Sequence, residues 1–79
     1  MKAIVNIFLK EGVLDPQGKA IHHALDAMNF EGVEDVRMGK QIVLKLTSTS
    51  RDDALQEVEK MAEDILANTV IEDYTIELI

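Results

Sequence analysis

The chain of 79 residues contains no cysteine and no tryptophan. Without cysteine it can form no disulfide, no thiolate metal site and no thiol nucleophile. Aromatic residues make up only 4% of it, too few to build a stacking platform for nucleobases. No apolar run approaches the ~20 residues that span a bilayer. Positive charge is scarce as well: 8 basic residues face 15 acidic ones, for a net charge of −7. The imbalance lies almost wholly in residues 41–79, which hold 3 basic and 9 acidic residues. Such a chain repels phosphate backbones and anionic lipid, so neither nucleic acid nor membrane is expected as a partner.

What remains is the composition of a globular protein, 47% hydrophobic and 29% charged, at a length that makes one domain over residues 1–79. A core this small, with no staple, is marginal, and burial against partners becomes attractive. The apolar start of the chain is broken by Asn6 and runs into Lys10-Glu11 with no small-residue cleavage site. It reads as a strand rather than a leader, and the expected location is the cytoplasm.

Periodicity then orders the elements. Residues 2–9 alternate Ala3, Val5, Ile7 and Leu9 against Ile4, Asn6 and Phe8, a strand whose second face is also partly covered. Asp15-Pro16 is a helix start, a side-chain cap followed by a proline whose missing N–H costs nothing there. Ala20, Ile21, Ala24, Leu25 and Met28 form the stripe of that helix, which should end near Asn29. Residues 33–38 read as a short strand, Gly39 as a turn, and residues 40–46 as its hairpin partner. Ser50 to Asp53 resembles a capping box. A second helix follows, with Leu55, Val58, Met61, Ala62, Ile65 and Leu66 as its core face, and a last strand covers residues 74–79. The order is β-α-β-β-α-β, an α+β antiparallel sheet with two helices on one face, the ferredoxin-like pattern. Open sheet edges predict that a second copy completes it, with the last strand as the pairing edge.

Several sites tempt. The run from Gly12 to Lys19 lies where a phosphate loop would, but five residues separate its glycines instead of four, Ala20 replaces the magnesium-binding hydroxyl, and Asp15 opposes an anion. His22 and His23 diverge by about 100° on a helix and cannot share a metal. His22 and Asp26 are spaced to pair, yet no nucleophile is placed to use them. Asp52, Asp53, Glu57, Glu59, Glu63 and Asp64 form a solvated face, because acid–base work needs a cleft that separates pKa values. Residues alone thus give a small acidic partner-binding module with no catalytic set.

The runs Leu9 to Ala20, Val36-Arg37-Met38-Gly39-Lys40 and Leu66 to Tyr74 together resemble the PurS family, the small subunit of phosphoribosylformylglycinamidine synthase. The resemblance covers essentially the whole chain. It implies a subunit of a glutamine-dependent, ATP-using C–N ligase of purine biosynthesis. In that assembly a large synthase subunit uses ATP and Mg²⁺, and a glutaminase subunit releases ammonia. The small subunit would be a non-catalytic adaptor between them, a homodimer or higher oligomer that binds no cofactor and helps shape the ammonia path. Carried over by motif, Asp15, Pro16, Gln17, Gly18, Arg37, Gly39, Lys40 and Tyr74 are candidate partner or dimer contacts. Asn29 stands where the family usually has glycine, which implies a left-handed asparagine at the helix end, and Thr69 stands where proline is usual, leaving that exit less rigid. The competing reading is a stand-alone regulatory domain of the amino-acid-binding type, which shares the element order and would hold a small molecule at a dimer interface.

Overall fold

The computed structural model describes all 79 residues. Strand β1 (Lys2–Leu9) is the centre of a three-stranded antiparallel sheet, flanked by β2 (Gly39–Lys45) and β3 (Glu72–Leu78). The register places Val5 between Ile42 and Ile76, and Ala3 between Leu44 and Leu78, so one face is a continuous apolar surface. Helix α2 (Arg51–Met61) covers it, with Ala54 and Val58 buried. The small Ala54 lets the helix approach closely, and Val58 packs with Ala3, Val5 and Ile7 in the core. Ser50 caps α2 by accepting the Asp53 N–H at 3.3 Å. Five residues, Ala62–Leu66, continue it as a widened π turn closed by the Ala67 N–H on the Ala62 carbonyl.

Helix α1 (Pro16–Ala27) begins on the Asp15 cap and Pro16 as the sequence predicts. It ends as implied too: Asn29 is left-handed at φ 65°, and the Phe30 N–H turns back to the Leu25 carbonyl at 3.0 Å.

Three expectations need correction. Residues 33–38 are not a strand within this chain. Their polar backbone is engaged elsewhere, the Val36 N–H by the Asp35 side chain and the Met38 N–H by Asp15. Gly39 makes no turn; it is the first residue of β2, opposite Phe8, and the backbone runs through it without a left-handed residue. Consequently α1 does not lie beside α2 on the sheet. It forms an arm with residues 28–38, and of its own residues only Gly18 is buried. The third correction concerns two residues expected in the core: Leu55 is 37% exposed, and Ile65, further along, is 80% exposed. Regular α spacing would have put it on the Ala54–Val58 face; the π turn rotates it off that face and brings Leu66 onto the core instead.

The arm gives the chain extents of 49 × 25 × 14 Å and a radius of gyration of 16.0 Å. A compact chain of this length would have about 12 Å. Its surface, 5863 Å², exceeds by roughly 1,000 Å² that expected for its mass.

Candidate partner interface

Seven of the eight residues singled out in the sequence converge where the arm leaves the sheet. Asp15 is the centre. It is 4% exposed, and its two oxygens accept different N–H groups, Gly18 at 2.9 Å and Met38 at 2.7 Å. These two bonds hold its carboxyl below the ordinary carboxylate range, with the Arg37 guanidinium adding to the effect. Arg37 donates to the carbonyls of Lys10 and Val13, at 3.2 and 3.1 Å, and so staples residues 36–38 to the exit of β1. Gly18 packs so closely that a Cβ there would lie 2.3 Å from the Val36 carbonyl oxygen. Pro16 and Gln17 are exposed on the first turn of α1.

Gly39 and Lys40 open β2 beside this point. A Cβ on Gly39 would come 2.9 Å from the Ile7 carbonyl oxygen. Lys40 faces Glu72 of β3 at 3.8 Å across the sheet. Between them lies a shallow cleft of about 210 Å³ lined by Ile7, Asp15, Gln17, Lys40 and Glu72 among others. Tyr74 stands apart, packed on the core from β3, with its hydroxyl donating to Glu63 at 2.7 Å. That bond raises the phenol above its ordinary value.

The other tempting groups resolve into structure. His22 Nε2 is 2.7 Å from the Val33 carbonyl oxygen; a carbonyl only accepts, so this nitrogen carries the proton and cannot serve as a base. Asp26 is 3.9 Å away, too far for a hydrogen bond. The supposed phosphate loop is filled by its own carboxylate, since Asp15 takes the N–H that an anion would use. Sequence reasoning missed the contact of Gly18 with Val36 and the Glu63–Tyr74 bond. A glycine at the third position of a helix was the one available sign of the first.

Large apolar groups are left uncovered around this site. On the arm, Ile21, Met28 and Phe30 are exposed. On the sheet, Ile42, Leu44 and Leu46 edge the core only half-buried, and β2 has no neighbour on its outer side. No helix is long and apolar enough to cross a membrane.

Comparison with known proteins bears on the family and the fold. The PurS model, described as phosphoribosylformylglycinamidine (FGAM) synthase, matches residues 2–79. The chain is 51% identical over 78 residues to phosphoribosylformylglycinamidine synthase subunit PurS of Bacillus subtilis, spanning 98% of this chain and 90% of that one. A crystal structure of B. subtilis PurS superposes with a TM-score of 0.81 at 52% identity, covering 96% of this chain and 94% of that one. A chain in the structure of PurLQS from Thermotoga maritima superposes with a TM-score of 0.90 at 28% identity, covering 99% and 95%.

Proposed function

The chain belongs to the PurS family, and on that premise we propose that it is a non-catalytic adaptor subunit of phosphoribosylformylglycinamidine synthase. It joins the ATP-dependent large subunit to the glutaminase subunit in the cytoplasm and supports ammonia transfer between them. ATP and Mg²⁺ serve the large subunit, and this chain binds neither. The observation that carries the reading is the mismatch between chemistry and surface. No nucleophile, base and orienting group converge, whereas only 9 of 79 residues are buried and the arm and β2 leave apolar faces uncovered. A surface of this kind serves partners.

The first partner is a second copy. The pairing edge in this reading is that of β2 and not the last strand that the sequence suggests: the uncovered arm of one copy fits what the sheet of the other lacks, with residues 33–38 alongside the free edge of β2 and the α1 stripe over Ile42, Leu44 and Leu46. The excess area of roughly 1,000 Å² per chain is of the size a stable dimer buries. Sedimentation at micromolar concentration should give a dimer or larger species, and a monomer alone would refute this part.

The adaptor role is tested by omission. Large subunit and glutaminase mixed without this chain should form little product from glutamine. Ammonium salt should restore turnover by the large subunit, because no transfer between subunits is then needed. Full glutamine-dependent turnover in the chain's absence would sink the reading.

A further inference from the structure

We infer that the Asp15–Arg37 knot is a lock that aims the arm away from its own sheet and so commits it to a second copy. The inference rests on the dimer reading above and adds a device to it. The same sequence has an obvious competitor, the closed monomer in which the chain reverses at Gly39, residues 33–38 pair back on β2 and α1 covers its own sheet. Four ties oppose that closure, and all lie within the arm or at its base. Asp15 holds the Met38 N–H at 2.7 Å and the Gly18 N–H at 2.9 Å. Arg37 holds the carbonyls of Lys10 and Val13. Gly18 sits against the Val36 carbonyl with no room for a side chain. His22 holds the Val33 carbonyl at 2.7 Å.

Together these bonds join residues 33–38 to α1 and to the exit of β1 as one body. A hairpin at Gly39 would swing residues 36–38 through a reversal and withdraw the Met38 N–H from a carboxylate that water barely reaches. A buried charge left short of a partner is costly, and costlier than an exposed one. The lock therefore acts on the arm's direction. It disfavours the closed monomer and presents the apolar stripe already oriented, which removes an ordering cost from association. Asp15 and Arg37 are positioning residues in this scheme: Asp15 is buried, and Arg37, though exposed, is tied to backbone carbonyls of its own chain.

Asp15→Asn and Arg37→Gln test it. The first keeps the shape but turns an amide N–H toward one of the two donors; the second leaves the helix cap intact. Sedimentation equilibrium reads the dimer constant. Amide hydrogen exchange reads Gly18, Met38 and the α1 backbone, with Val5 and Ile7 in β1 as a control for the sheet. The expected result for both variants is a dimer weakened at least tenfold, with arm amides exchanging faster while β1 amides keep their protection. Dimerisation and arm protection equal to wild type would overturn the lock. Equal loss of protection in arm and sheet in both variants would overturn it too, since the knot would then only support the whole fold. If the wild type itself sediments as a monomer, the dimer reading fails, and the exchange at Gly18 and Met38 still decides whether the knot fixes the arm.

Discussion

Asp15 joins one expectation that the sequence supports to one that it does not. Its place before Pro16 identifies it as a helix cap, and it accepts the Gly18 N–H as a cap should. Its second oxygen serves Met38, 23 residues on, and no local pattern announces a contact of that range. Arg37 follows the same logic: core packing gives it no role, yet its guanidinium is engaged by two backbone carbonyls. Protonation tests the Asp15 site. Its folded pKa is lowered, so its contribution is fully present above the unfolded value of about 3.9 and is lost as pH falls through that range toward the folded value. The Met38 amide resonance should therefore titrate below about pH 4 in the native protein, and Asp15→Asn should abolish the step. A Met38 resonance indifferent to pH down to the onset of unfolding would contradict the assignment.

Among the elements, those whose partners are near in the pattern are legible and those that depend on distant or absent partners are not. β1, α1, α2 and β3 all lie within a few residues of their predicted positions because alternation, a cap or a helical stripe marks each. Residues 33–38 are extended by composition but have no strand beside them in the single chain, since Gly39 runs straight on instead of turning. The π turn is equally silent in sequence, because Ile65 and Leu66 are both apolar and either could face the core. Two substitutions separate these cases. Ile7→Ala removes a side chain 1% exposed at the centre of the core and should cost about 2–5 kcal/mol. Ile65→Ala removes one 80% exposed and should change the stability of the single chain by less than about 0.5 kcal/mol. Urea midpoints measured at concentrations low enough to keep the chain monomeric check both. A large loss for Ile65→Ala there would mean that the helix continues as a regular α-helix and that Ile65 lies inside.

At the scale of the whole molecule, composition and burial disagree, and the disagreement is informative. A chain that is 47% hydrophobic has enough apolar residues for an ordinary core. Only seven of its hydrophobic residues are buried, four of them alanines, and Ile7, Val5 and Val58 are the largest side chains fully enclosed. So little enclosed volume cannot by itself offset the chain entropy of 79 ordered residues by a comfortable margin. On the dimer reading proposed above, association adds burial to this thin margin, with the arm and the open edge of β2 as the surfaces that supply it. Stability should accordingly depend on concentration, because anything that binds only the folded chain stabilises it by mass action. A hundredfold increase in protein concentration should stabilise the native dimer by about 2.7 kcal/mol against two unfolded chains. The urea midpoint should rise across the micromolar range by the amount this energy and the measured denaturant slope require. The rise should be smaller in Asp15→Asn, where the arm is no longer held for its partner. A midpoint that stays fixed over that range would mean that the chain is stable alone, and that its exposed apolar faces are reserved for the larger subunits and not for a second copy.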